Sequence, residues 1–267
     1  EQVFPGVPNV AVFDTAFHQS MGPEAYLYAI PREFYEKYDV RKYGFHGTSH
    51  KFVYFNSCEF LGLDPTKAKI ITCHLGNGSS LAAVKGGKVV DTSMGLTPLM
   101  GLIMGTRCGD LDPAVIPYLM SQTGYSTSEI DDILNKKSGL LGMSGLSSDM
   151  RDIEAARDQG NPRAKEAYAA FIHRLVHYIG GYHLLLGGAD AIVFTGGIGE
   201  NGITTRRILI NRMAVLGCEL DEQANNSCGK QTIISKPGSK IIALVTPTNE
   251  ELMIAMETVA LVKPAGA

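Results

Sequence analysis

KIITCHLGNGSSLAAVKGGKVVDT, residues 69–92, holds the pattern on which the fold turns. Residues 69–73 are apolar and β-branched, as in a strand buried on both faces. His74-Leu75-Gly76-Asn77-Gly78 interrupts the run with two glycines around an asparagine. Residues 80–84 resume it, Gly86-Gly87 turns it again, and residues 88–92 complete it. Three short strands joined by glycine turns predict an antiparallel meander. Upstream, residues 10–13 (VAVF), ending at Asp14, predict a short buried strand. Residues 26–38 predict a mostly helical segment interrupted by Pro31.

Beyond Arg107 the apolar period lengthens to that of a helix. Helices are predicted over residues 113–120, 128–137, 149–158 and 163–186. In the last, Tyr168, Phe171, Leu175, Ile179, Tyr182 and Leu186 recur at spacings of three and four. Gly180-Gly181 inside it costs roughly 1 kcal/mol per glycine relative to alanine, which predicts close packing there. A strand over residues 191–195, a glycine loop at 196–202, a helix over 204–216, a strand over 241–245 and a helix over 249–262 complete the chain. A meander followed by helices and β-loop-α units is α/β, a mixed sheet covered by helices.

Composition excludes several classes. The 267 residues carry 24 Lys+Arg against 27 Asp+Glu, so no basic excess suggests a nucleic-acid partner. Five cysteines, an odd number with no C-x-x-C pair, argue for reduced thiols in the cytoplasm. No signal peptide opens the sequence. The uncharged stretch over residues 92–106 is interrupted by Gly95, Pro98, Gly101 and Gly105 and falls short of the ~20 apolar residues of a membrane span. A soluble protein is expected.

Two glycine loops can carry chemistry. At His74–Gly78 backbone N–H groups can approach an anion, with Asn77, Ser79 and Ser80 as further donors, although Asn-Gly also marks an ordinary hairpin. The second, Thr195-Gly196-Gly197-Ile198-Gly199-Glu200-Asn201-Gly202, follows a strand and opens a helix, a setting that favours phosphate. It matches the G-x-G-x-x-G fingerprint of NAD-binding oxidoreductases, with Glu219 and Asp221 downstream. That fingerprint normally opens a βαβαβ half, whereas a meander precedes it here. Arg107, between Gly105 and Gly109, suits phosphoryl oxygens; a pair with Asp110 or Asp112 is the structural alternative. His46 and His50 have H-x-x-x-H spacing, but Gly47 stands where a zincin needs glutamate. No Walker A pattern occurs, which excludes a P-loop NTPase.

Six motifs in one order are specific together: FDTAFHQ (13–19), RKYGFHGTSH (41–50), CHLGNGSS (73–80), GTRCGDLDP (105–113), FTGGIGEN (194–201) and PTNEEL (247–252). Over essentially its whole length the sequence resembles the acetate kinases. The resemblance implies an actin-like (ribonuclease H-like) ATPase fold of two related domains, an active site in the cleft between them, and a homodimer. It also implies reversible phosphoryl transfer from ATP to acetate with Mg²⁺ or Mn²⁺. By the same resemblance Asp14, His46 and Arg107 are catalytic and Glu250 is linked to the metal. His74, Leu75, Gly76, Asn77, Gly78, Asp149, Met150, Arg151, Gly197, Ile198, Gly199, Glu200 and Asn201 would contact nucleotide, and Phe45 and Pro98 would wall the acyl pocket.

The resemblance further implies that a metal-side asparagine loop and a carboxylate-binding arginine precede Glu1. Residues 1–18 would then end an N-terminal domain, 19–248 form the nucleotide-binding domain, and 249–267 return to the first. These 267 residues alone are expected to be inactive. Met100, and Tyr54-Phe55-Asn56 where a polar helix is expected, depart from the family pattern. Propionate or butyrate kinase, a non-catalytic nucleotide-binding fragment, and an NAD-binding oxidoreductase are the alternatives.

Overall fold

The predicted meander is present as β1 (Lys69–Leu75), β2 (Ser79–Lys85) and β3 (Lys88–Thr92) in the computed structural model, which describes residues 5–262. The outer ends of the expected segments 1–18 and 249–267 lie outside the described residues. β1 pairs antiparallel with β2, from Lys69 opposite Lys85 to Leu75 opposite Ser79. Along its other edge β4 (Ala191–Thr195) runs parallel, with His74 opposite Thr195. β6 (Ile242–Val245) extends the sheet in parallel, and the two-residue β5 (Thr232–Ile233) closes it antiparallel. The order is β3-β2-β1-β4-β6-β5. This is the mixed sheet expected of one half of the actin-like ATPase fold; the glycine segment at 196–202 follows β4, and only β6 continues in parallel beyond it, so it does not open the βαβαβ half of an NAD-binding domain.

Alternate side chains feed two cores. Ile71, Cys73, Leu75, Ile192 and Phe194 face one, under α7 (Met150–Asp158), α8 (Pro162–Leu185) and α10 (Ile203–Met213). All six apolar positions predicted for the long helix are buried there. Ile70, Ala191, Val193 and Leu244 face the other, with Val53, Tyr54 and Cys58 of α3 (Gly47–Leu61). The remaining helices are α1 (Pro23–Tyr26), α2 (Glu33–Tyr38), α4 (Val115–Thr123), α5 (Thr127–Lys136), α6 (Gly139–Ser144), α9 (Gly196–Asn201) and α11 (Glu250–Val262). α11 lies against α3, with Lys51 paired to Glu257. No described helix is long and apolar enough to cross a membrane.

Several expectations are corrected. Residues 10–13 are no strand; they pair with nothing in the sheet, and Phe13 is 67% exposed. Residues 26–38 are helical only at their ends, because Pro31 disfavours helix at Ile30. Residues 196–202 form a helix rather than a loop through Asn201. Tyr54 is a core residue whose hydroxyl lies 2.9 Å from the Pro65 carbonyl and accepts from the Gly87 N–H, so the departure from a polar helix is absorbed by packing.

Gly180 and Gly181 do not pack closely: a methyl group at either would meet no atom within 4 Å. Gly180→Ala and Gly181→Ala should therefore each stabilise α8 by about 0.5–1 kcal/mol, through a less flexible unfolded chain. Urea midpoints of the single variants check this; a lowered midpoint would mean that the face is covered in the assembled protein.

Candidate active site

The end of β1, the start of α3 and the segment carrying Arg107 meet at Gly78. A methyl group built there would lie 3.4 Å from His46 Nε2 and 3.4 Å from Arg107 Nη1. Both side chains therefore address the same small space, and only hydrogen at Gly78 leaves it open.

His46 sits immediately before α3 with φ of 57°, a left-handed conformation that an L-residue adopts at a cost of roughly 1–2 kcal/mol. That turn aims two N–H groups at one residue. The His46 N–H donates to Asp14 Oδ2 at 2.6 Å, and the Gly47 N–H donates to the Asp14 carbonyl at 2.8 Å. Gly47 is required, because a Cβ would come within 2.1 Å of that carbonyl oxygen. Asp14 is thus held at the start of α3, where an anion is favoured. Its neighbour Phe45 is fixed by its carbonyl, which accepts from Nε2 of the buried His18 at 2.9 Å.

The imidazole of His46 stacks on that of His74, with centroids 4.2 Å apart. Burial, and then the Arg107 charge, lower the His46 pKa to about 4. Burial and His46 lower that of His74 to about 3. Both rings are neutral at ordinary pH, so of the two forms open to His46, protonated or merely donating, this environment supports the second. Arg107 makes no ion pair among the described residues. Asp110 is taken by Arg174 and by the Tyr178 hydroxyl, and Arg107 instead donates to the Pro98 carbonyl at 3.3 Å. The structural alternative for Arg107 is therefore corrected.

Beside this group opens a cleft of about 550 Å³ lined by Gly76, Asn77, Ser148, Asp149, Met150, Arg151, Glu154, Gly197, Ile198, Asn201 and Gly202. It unites three segments more than forty residues apart in sequence at each step. Of the residues expected to contact nucleotide, Leu75 is core, and Gly199 is buried against the end of β4. Glu200 turns away to accept from the Gly196 N–H at 3.0 Å. His74 and Gly78 belong with His46 and Arg107. Asp149 caps α7, accepting from the Arg151 N–H, and hydrogen bonds from Arg151 hold its pKa down at about 2.

Glu250, at the start of α11, has its pKa raised by burial and by the neighbouring Asp14 carboxylate. Among the described residues no three His, Cys, Asp or Glu side chains gather to hold a metal ion. Glu250 beside Asp14 nevertheless fits a hard cation that keeps most of its water.

Unread in the sequence were Ser148 and Glu154 in the cleft, and the support behind the histidines. Ser49 Oγ lies 2.8 Å from both His74 Nδ1 and Thr248 Oγ1. Ser49 and His50 stand in the quoted FHGTSH motif, which was the available signal. Arg206, wholly buried on α10 beside α9, carried none.

Known proteins are similar to this chain in sequence and in fold. The Acetokinase family model matches residues 1–256. An acetate kinase of Treponema denticola is 58% identical over 261 residues, covering 98% of this chain and 66% of the relative. One of Helicobacter hepaticus is 56% identical over 262 residues, with coverage of 98% and 65%. The chain thus spans about two thirds of the length of such relatives. The crystal structure of Porphyromonas gingivalis acetate kinase superposes with a TM-score of 0.95 at 49% identity, over 98% of this chain and 66% of that one. A propionate kinase structure from Francisella tularensis gives 0.89 at 47%, over 96% and 65%. With the motifs, the sheet and nearly the whole length in agreement, the chain belongs to the acetokinase family.

Proposed function

We propose that the whole protein is an acetate kinase, transferring a phosphoryl group reversibly from ATP to acetate to give ADP and acetyl phosphate. One observation carries this reading: a neutral histidine and an arginine without an ion-pair partner among the described residues converge on Gly78, at the edge of a cleft formed by three glycine- or cap-bearing segments.

The nucleotide lies in the cleft, its phosphates toward the N–H groups of the loop at 76–78. Transfer is in line and needs positioning and charge stabilisation more than covalent help. Arg107 and the Nε2 hydrogen of His46 meet oxygens of the moving phosphoryl group as charge spreads over them. Phe45 and Pro98 hold the methyl group of acetate. Asp14 and Glu250 would hold Mg²⁺ or Mn²⁺, which when bound neutralises phosphate charge.

We also place the enzyme in the cytoplasm as a homodimer; Leu184 and Leu185, exposed at the end of α8, offer apolar surface for a second copy. Residues 19–248 form the nucleotide-binding domain in this reading, and α11 joins it to the domain that begins the relatives. Leu252, Met256 and Val259 of α11 are exposed, which supports such a neighbour. Residues 1–267 by themselves are then inactive.

The decisive assay traps acetyl phosphate as the hydroxamate, with ATP, Mg²⁺ and acetate. The whole protein should turn over at ~1–100 s⁻¹, and residues 1–267 alone should give no product. No hydroxamate from the whole protein overturns the reading. A higher kcat/KM for propionate would reassign the acyl group to that of the Francisella relative.

A further inference from the structure

We infer that Thr72, His50 and Ser80 form a one-way hydrogen-bond chain that leaves His46 with its hydrogen on Nε2, facing Gly78. Thr72 Oγ1 lies 2.7 Å from His50 Nδ1, His50 Nε2 lies 2.8 Å from Ser80 Oγ, and Ser80 Oγ lies 2.8 Å from His46 Nδ1. Thr72, His50 and Ser80 are all fully buried. Thr72 and Ser80 stand on β1 and β2, and His50 on the first turn of α3, so the chain runs from the sheet to the active-site edge.

Each hydroxyl carries one hydrogen, and each neutral imidazole one. A serine between two ring nitrogens must give to one and accept from the other, so every donation runs the same way. In one direction Thr72 donates to His50, His50 Nε2–H to Ser80, and Ser80 to His46 Nδ1. His46 then keeps its hydrogen on Nε2. In the other direction Thr72 spends its hydrogen elsewhere and His46 is left with a bare Nε2.

Among the described residues the only other acceptor of the Thr72 hydrogen is the Ala82 carbonyl, at 3.4 Å. That is beyond the ordinary range for a hydroxyl donor, whereas 2.7 Å is near its optimum. The geometry therefore selects the first direction.

The choice matters because Nε2 and Arg107 Nη1 stand over the same space. A bare nitrogen there would turn a lone pair toward an anionic oxygen. An N–H gives a second donor beside the guanidinium. Thr72, His50 and Ser80 are positioning residues: none reaches the cleft, and they act through His46. The direction of the chain rests on geometry alone, while its use in catalysis rests on the phosphoryl-transfer reading above.

The test uses the whole protein with histidine labelled with ¹⁵N in the ring, and resonances assigned by their loss in H46N and H50N. Both His46 and His50 should show Nε2–H, with Nδ1 of the non-protonated type; Nδ1–H at either overturns the chain. Kinetics supply the second arm. Ser80→Ala should lower kcat about tenfold or more with ATP KM within about twofold, the mark of a lost transition-state donor. Thr72→Ser, which keeps the hydroxyl, should retain both tautomers and kcat. Unchanged kcat in Ser80→Ala overturns the catalytic role but not the tautomer. No turnover in the unsubstituted protein overturns the phosphoryl-transfer reading and leaves the nitrogen spectra to stand on their own.

Discussion

Arg107→Ala in the whole protein is expected to lower kcat by about 10²–10³-fold, with the KM for ATP nearly unchanged. The guanidinium is permanently charged, and among the described residues it has no carboxylate partner. Its contacts are the Pro98 carbonyl at 3.3 Å and the Met104 sulfur at 3.8 Å. Neither neutralises it, so its charge is available to oxygens that become more negative during transfer. Losing one such donor costs roughly 2.7–4 kcal/mol of transition-state stabilisation. Arg107→Lys should recover little, because a point charge on a flexible stem does not reproduce the planar fork. Steady-state kinetics in both directions decide the matter. A raised KM with kcat intact would assign Arg107 to ground-state binding and remove it from the transfer step.

Arg206→Met should destabilise the fold by about 3–5 kcal/mol, because it leaves several buried oxygens without a donor. Arg206, on α10, has no exposed surface, and no carboxylate pairs with it among the described residues. Its charge is met mainly by neutral oxygens, with the Cys228 thiol close by. Nη1 donates to the carbonyls of Gly199 and Glu200 at 2.9 and 2.7 Å. Nη2 donates to those of Asn225 and Ser227, each at 2.8 Å, and Nε to Asn225 Oδ1 at 2.9 Å. Burial lowers its pKa, yet an arginine stays charged in a folded protein. Methionine fills similar space but strands buried carbonyls at the end of α9 and in the 225–227 turn, each costing about 1–3 kcal/mol. Because α9 borders the cleft through Gly197, Ile198 and Asn201, nucleotide affinity should fall as well. Urea unfolding and ADP titration test both effects. Stability within about 1 kcal/mol of the unsubstituted protein would show that water replaces the guanidinium.

The two arginines of TTRRIL show why part of this site cannot be read from sequence. Arg207 is partly exposed and pairs with Glu222, while its neighbour Arg206 is wholly enclosed. Nothing local separates them, because the enclosing oxygens come from segments that meet α10 only after folding. The meander was legible because its signals are local: β-branched runs and glycine turns at fixed offsets. The long helix was legible through its six periodic apolar positions. α3 was harder, because Ser49, His50 and Ser57 point inward and blur the apolar stripe. α9 looked like a loop because glycine disfavours helix, but the Glu200 carboxylate accepts from its first N–H and Arg206 donates to the carbonyls at its far end. Residues 10–13 misled in the opposite sense, since an apolar run becomes a strand only when a neighbour completes the ladder. Which loops share the cleft was anticipated only through the family resemblance. The hydrogen-bond chain behind His46 needed coordinates.

The register between β1 and β4 dictates an order of assembly. The Asp190 carboxylate that accepts from the Lys69 N–H at 2.8 Å lies 121 positions further along the chain. The meander closes through turns of a few residues and forms among the first structures. Parallel pairing on the other edge of β1 must wait until α4 to α8 have been gathered into the intervening loop, a slow step for contacts so far apart. On the ribosome, Ile70 to Leu75 are synthesised, with their β2 partner, well before residue 195 leaves the tunnel. During that interval the strand that later forms the centre of the sheet is an open edge, and the cell must shield it from other chains.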